Sequence, residues 1–559
     1  MKFKADESEV KLRGGYYTRP EIASFLLRWA LGIAPRHLLE PSCGDGVFLA
    51  RLATLLPADA PRPLARLPTV TAFEIDPAEA GKAQAAAERI PGAEVHVRDF
   101  LSWSLERLGG PPVFDAAVGN PPFIRYQYLS PESQEIAERI FRSLGLAFTR
   151  HVNAWVPFVA AALALLRPGG RLAMVLPAEL LHVLHAQSLR TFLAGQCSRV
   201  LLFDPQELWF DGVLQGAVLL LAEKRELGTS EEPGRIAIIP TRAESFLDQD
   251  PEDLFRTADW APLGGPVLSG KWMPALLSRR EREVLTAAAG LPGVRRFAEV
   301  ADVDIGIVTG ANKFFLVSDG EVERHGLGAW AFPMFGRSEH VPGVIYDEET
   351  HVGNRRAGLP SNFLWFTREE LADLPPAVRG YLERGAAEGL PERYKCRIRQ
   401  PWYSVPSVYA TSVGMLKRCH HFPRLISNRL GAFTTDTAYR VRAKETEPED
   451  LVFSFVNSLT ALCAELEGRH YGGGVLELVP SEIEKLLLPL PLEEPSPGGR
   501  LERLDQEIRT GTPAEELLRR QDDDLLAPVG LSSEEAGELR AAWSRLRSRR
   551  QRTDDDSRD

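Results

Sequence analysis

The chain has 559 residues, 44% hydrophobic and 26% charged, with a formal net charge of -11. This length predicts two or three domains of a folded globular protein, and no apolar run or charged-then-apolar leader predicts a membrane span or a secretion signal. The acidity excludes a uniformly basic nucleic-acid binder, and five scattered cysteines without a CxxC pair argue against a disulfide framework or a zinc site and for a reducing cytoplasm.

A polar lead gives way to GGYYTRPEIASFLLRWA at residues 14–30. Ile22, Ala23, Leu26, Leu27 and Ala30 recur at helical spacing, so an amphipathic helix is predicted from Pro20. Thr18 stands just ahead of it, where a hydroxyl can cap the helix or face an anion. HLLEPSCGDGVF (residues 37–48) reads as a short strand, a sharp turn with Gly44 and Gly46, and a helix from Val47. Glycines there let the backbone approach a ligand closely, although the full GxGxxG fingerprint is absent. A second strand, TVTAFEID, carries Glu74 near its end, at the offset where a carboxylate binds ribose hydroxyls. A third, EVHVRDF, ends in Asp99 and Phe100.

The fourth strand, FDAAVGNPPF (residues 114–123), organises the rest. Pro121 and Pro122 fix φ and remove two backbone donors, so the chain must leave the sheet in a rigid, extended turn. That turn holds the Asn120 carboxamide and the Phe123 ring at a strand's carboxyl end, where open α/β sheets bind ligands. A carboxamide and free prolyl carbonyls can accept from an amino group, and a ring can stack on a planar substrate. Trp155 to Leu166 is an apolar helix stopped by Arg167-Pro168-Gly169-Gly170. Three more strands follow, RLAMVLP, RVLLFDP and GAVLLLAEK, the last at hairpin distance from its predecessor. The pattern predicts a parallel, doubly wound α/β sheet with an antiparallel seventh strand and a nucleoside-type site along one edge.

Residues 14–224 resemble a class I S-adenosylmethionine-dependent methyltransferase, and within that class the gamma group of DNA adenine N6-methyltransferases of restriction–modification systems. The motif order carries the resemblance: YYT first, then the glycine loop, then NPPF, then a C-terminal recognition domain. It implies a Rossmann-like seven-stranded sheet followed by an α+β target-recognition domain, S-adenosyl-L-methionine as cofactor, and double-stranded DNA as partner. Thr18 would touch the methionine carboxylate end of the cofactor, and Glu40, Pro41, Gly44 and Gly46 would surround its methionine moiety. Glu74 would hold the ribose, Asp99 and Phe100 the cofactor adenine, and Phe158 would stack on that adenine. Asn120 and Pro121 would bind the target amino group, Pro122 would hold the turn, and Phe123 and Phe210 would sandwich the target base. The family usually has Thr-Pro where Arg19 here separates Thr18 from Pro20. Cys43 is expected to pack in the loop and not to act as a nucleophile, and no metal is implied.

The expected domains are catalytic (1–225), bridging (226–285), target-recognition (286–495) and a charged, partly disordered tail (496–559). DVDIGIVTGANKFFLVSD (302–319) and YGGGVLELVPSEIEKLLLP (471–489) resemble the opening and closing segments of the family's recognition domain. Between them, residues 392–444 carry eleven basic and two acidic side chains, +9 in an acidic chain, with Tyr394, Trp402, Tyr403, Phe422 and Tyr439 interleaved. Such a stretch reads as a DNA surface built on Arg393, Lys395, Arg397, Arg399, Lys417, Arg418 and Arg424, or else as a solvated face paired with acids elsewhere. A protein-glutamine N5 or RNA methyltransferase would suit the NPPF loop equally, but the glutamine enzymes carry a helical domain ahead of the fold. A cleavage-linked DNA-binding subunit is disfavoured, because only Glu9-Val10-Lys11 has nuclease-like spacing; a cognate endonuclease is expected as a separate chain.

Overall fold

The computed structural model describes residues 17–55, 68–124, 126–149, 153–205, 216–228, 233–241, 244–263, 270–367, 370–471, 473–490 and 499–551. The chain divides into two compact units, Met1–Arg279 and Arg280–Asp559.

In the first unit, helix α1 (Pro20–Leu31) starts on a proline, whose fixed φ and missing N–H suit a first turn. It buries Ile22, Phe25, Leu26 and Trp29 against the sheet. Strand and helix then alternate: β1 (His37–Glu40), α2 (Val47–Leu55), β2 (Thr69–Glu74), α3 (Pro77–Ala87), β3 (Ala93–Val97), α4 (Phe100–Leu105), β4 (Phe114–Gly119), α5 (Pro131–Ser143), α6 (Trp155–Leu165), β5 (Leu166–Pro177), α7 (Gln187–Gln196), β6 (Cys197–Pro205) and β7 (Ala217–Lys224). Asp76 and Asp99 start α3 and α4 by accepting backbone N–H bonds, which satisfies the orphan donors of a first turn. Strands β5 to β7 are apolar on both faces because helices cover both.

The sheet order is β3-β2-β1-β4-β5-β7-β6-β8-β9. β7 runs antiparallel between β5 and β6, as expected. From β1 the chain winds outward to β3, then returns to lay β4 on β1's other side. That reversal opens a crevice at the carboxyl ends of β1 and β4.

The seven expected strands are present, and among the described residues two more extend the sheet to nine. β8 (Arg235–Thr241) adds in parallel beside β6, and β9 (Ala261–Pro262) pairs antiparallel with β8. Within residues 226–285, expected to bridge, residues 235–241 and 261–262 therefore extend the sheet. Phe246 stacks on Phe203 at 5.2 Å, and Glu252, on helix α8 (Pro251–Thr257), pairs with the buried Arg171. The apolar run IAII in β8 supplies the surface that makes edge addition favourable.

In the second unit, a five-stranded sheet takes the order β10-β14-β12-β13-β11, with β10 (Ala301–Ile305), β11 (Ile345–Tyr346), β12 (Val413–Leu416), β13 (Leu425–Asn428) and β14 (Ala438–Ala443). A four-stranded sheet of residues 316–317, 362–364, 331–335 and 433–434 accompanies it. Within the charged tail (496–559), expected to carry helical stretches and a disordered end, residues 500–509, 514–525 and 533–551 are helices that bury Leu504, Leu518, Leu539 and Trp543. No helix among the described residues is long and apolar enough to cross a membrane.

Candidate active site

The glycine turn after β1 and the Asn-Pro-Pro turn after β4 meet at the crevice. A Cβ on Gly119 would lie 3.4 Å from Pro41 Cδ, so the two strand ends are in van der Waals contact. Ser42 Oγ donates to the Asn120 carbonyl at 3.1 Å. Asn120 Nδ2 donates to Thr18 Oγ1 at 3.1 Å, across 102 residues of sequence. With the NH₂ end directed at Thr18, the carboxamide is held in one orientation, and its oxygen is an acceptor group. Phe123 is half-buried and packs on the same core that α1 covers.

The glycine turn is held from two sides. Gly46 adopts φ +85°, and a Cβ there would come within 2.7 Å of Ala83 Cα on α3, so any other residue is excluded. Gly44 N donates to Glu74 Oε2 at 3.0 Å, and Glu74 Oε1 accepts from the backbones of Ile75 and Asp76. Beneath the turn, Glu40 is 1% exposed, and its Oε1 makes no hydrogen bond among the described residues. Burial, reinforced by Asp45 and Glu74, pushes its carboxyl well above the usual range. Burial also raises the Cys43 thiol, which keeps it neutral and in a packing role.

Beside the turn is an aromatic wall. Phe100 and Phe158 lie with ring centroids 5.6 Å apart, and Phe73 and Trp103 stand at 4.6 Å. Asp99 Oδ1 accepts from Leu101 N, and its Oδ2 accepts from Ser102 N and Oγ. Those bonds fix the carboxylate's direction while Oδ1 keeps a further lone pair. The sequence reading missed Ser42 and Trp103. Ser42 could have been found as the hydroxyl inside the EPSCGDG turn; Trp103 carries no local signal. Phe210 lies outside the described residues, so no geometry bears on it.

The basic stretch of the second unit divides in two. Arg393, Lys395 and Arg397 are exposed and pair with no carboxylate among the described residues. The other four residues expected to meet DNA are engaged within the protein. Arg399 donates to the carbonyls of Thr309 and Val308 at 2.8 and 2.6 Å. Lys417 and Arg418 both pair with Glu477, and Arg424 donates to the carbonyls of Pro342 and Gly343.

Two protein-family models match the chain in sequence order. One, described as Eco57I restriction-modification methylase, matches residues 80–207. The other, described as the C-terminal domain of type II methyltransferase M.Eco57I, matches residues 269–526. Type II methyltransferase M.XamI of Xanthomonas campestris pv. amaranthicola is 22% identical over 490 residues, 85% of this chain and 85% of that protein. The tRNA1(Val) (adenine(37)-N6)-methyltransferase of Porphyromonas gingivalis is 34% identical over 153 residues, 27% of this chain and 53% of its own length. Among solved structures, the type IIL restriction-modification enzyme MmeI in complex with DNA shares the fold, with a TM-score of 0.51 at 12% identity, covering 94% of this chain and 72% of that one. Methylase models in catalytic-then-C-terminal order, a relative spanning most of both chains, and a glycine turn knitted to an Asn-Pro-Pro turn converge: the chain is a DNA methyltransferase of the restriction–modification type, built on the class I S-adenosylmethionine-dependent fold.

Proposed function

We propose that the chain methylates N6 of an adenine flipped out of duplex DNA, with Asn120, Pro121, Pro122 and Phe123 as the catalytic turn. The observation that carries this is the Asn-Pro-Pro turn tied to the cofactor-side turn, with Ser42 Oγ donating to the Asn120 carbonyl and Asn120 Nδ2 donating to Thr18 Oγ1. An exocyclic adenine nitrogen is a poor nucleophile because its lone pair is delocalised into the ring. The Asn120 oxygen and the Pro121 carbonyl, accepting its two hydrogens, would draw it toward tetrahedral geometry and localise that pair. The gain comes from orientation rather than from a base. Phe123 would stack on the extruded base, as chemistry on a duplex base requires.

The residues at the glycine turn fit S-adenosylmethionine. Glu40 is a buried carboxylate with an open acceptor, Asp45 and Glu74 add negative character, and the ligand carries positive charge on an ammonium and a sulfonium. Glu40, Pro41, Gly44 and Gly46 would hold the methionine part, Glu74 the ribose, and Asp99, Phe100 and Phe158 the adenine. When bound, it supplies an electrophilic methyl group. The adenine-N6 activity in the name of the Porphyromonas relative, which matches only a catalytic-half length of chain, favours adenine over cytosine. The C-terminal model match favours DNA over RNA as the substrate. A cognate endonuclease is read as a separate chain, because the M.XamI relative, named a methyltransferase, spans 85% of both proteins. Nucleoside analysis of treated duplex DNA should show N6-methyladenine; N4-methylcytosine alone, or label found only in RNA or protein, would overturn the proposal.

A further inference from the structure

In the second unit a cleft of about 470 Å³ opens beside β10 and the segment that follows residue 393. Among the described residues of this unit, five large hydrophobic side chains are exposed: Ile305, Tyr394, Ile398, Tyr409 and Tyr471. Four of the five gather at this one cleft. Ile305 and Ile398 line it, Tyr394 adjoins its Lys395, and Tyr409 packs on its Arg440. Exposure of 65% for Tyr394 and 63% for Ile398 is unfavourable in water and calls for a partner.

The segment is one helical turn, α9 (Tyr394–Arg397), with Ile398 at its end. Tyr394 and Ile398 are four residues apart, so they share a face. Arg393, Lys395 and Arg397 stand around them with no carboxylate partner among the described residues. An exposed aromatic and an exposed aliphatic side chain framed by three open cations match a polyanion with planar and methyl-bearing edges inside it, which is a DNA groove. Asp304, at the cleft's far edge, accepts from the Tyr409 hydroxyl at 3.2 Å and could also accept from a base amino group.

Below the surface the turn is braced. Arg399 donates to the carbonyls of Val308 and Thr309, and a Cβ on Gly310 (φ +78°) would lie 2.7 Å from Lys395 Cβ. Across the cleft, Arg440 donates to the carbonyls of Ser407 and Ile305, and its guanidinium lies 3.7 Å from the Tyr409 ring centroid. Both arginines are spent on backbone carbonyls that set the shape of the walls.

We propose that Tyr394 and Ile398 read base edges in the DNA target, that Arg393, Lys395 and Arg397 grip the flanking phosphates, and that Arg399 and Arg440 are positioning residues for that ridge. This rests on the duplex-DNA reading above. The test maps the methylated motif in genomic DNA treated with the full-length protein and with variants, alongside binding to a duplex at several salt concentrations. Tyr394→Ala and Ile398→Ala should each relax the motif at one or two positions by tenfold or more while leaving the salt dependence of binding as in the wild type. Lys395→Ala with Arg397→Ala should keep the motif and flatten the slope of log K against log salt by about 1.8. Arg399→Lys should relax the motif as the ridge variants do, without flattening that slope. An unchanged motif in both ridge variants, or a changed motif in the lysine–arginine pair, overturns the assignment while leaving the methyltransferase reading intact. Absence of any methylation of duplex DNA by the wild type overturns both.

Discussion

Thr18 and Glu40 show how single side chains set up the site. Thr18 has its hydroxyl on the Asn120 amide, so it acts by holding that carboxamide in one orientation. Thr18→Val keeps the shape and removes the acceptor. It should lower kcat by about 2- to 10-fold, one neutral hydrogen bond of roughly 0.5–1.5 kcal/mol, while Thr18→Ser retains activity; steady-state kinetics separates the two. Glu40 makes a prediction in pH. Its folded-state ionisation lies above the ordinary value of 4.5 because of burial. The unfolded chain therefore gives up the proton first, and wild-type stability falls as pH rises past that value. Glu40→Gln removes that loss, so the ligand-free variant should melt higher than wild type at pH 8 and level with it at pH 4.5. The same change should weaken S-adenosylmethionine binding, since a positive ligand loses its buried counter-charge; calorimetry reads that directly.

The elements divide by how local their cause is. The glycine turn, helix α1 and the Asn-Pro-Pro turn were legible because each depends on neighbours in sequence: a glycine with φ > 0, apolar residues at helical spacing, two prolines at a strand's end. Strand β8 was not, because IAII is too short to announce itself and its place beside β6 is fixed by burial at long range. The packing of the tail's last helix was not either. Arg550, in a run of arginines that reads as solvated, lies fully buried against the equally buried Glu465, 85 residues away, and also donates to the carbonyls of Gly474 and His420. Removing one partner strands a charge. Arg550→Ala should destabilise the second unit by about 3–5 kcal/mol, while Glu465→Leu with Arg550→Met should lose much less; denaturant titration of the full chain compares them.

Across the whole molecule, charge is sorted rather than balanced. A chain of net charge -11 carries a stretch of +9, yet much of that stretch is engaged within the protein: Arg399, Arg424 and Arg440 bind carbonyls, and Arg429 bridges Glu449 and Glu502. Composition located the basic segment but could not tell cations that hold the fold from those that face a polyanion, because their partners lie up to 146 residues away. The proposed catalytic turn, in contrast, stands at one reversal in the sheet, where Thr18, Ser42 and Asn120 are bonded together. The decisive measurement is single-turnover methyl transfer to duplex DNA by Asn120→Ala, with S-adenosylmethionine and DNA affinities taken on the same preparation. Transfer should be abolished with both affinities within a few-fold of wild type; transfer at the wild-type rate would place the chemistry somewhere other than the Asn-Pro-Pro turn.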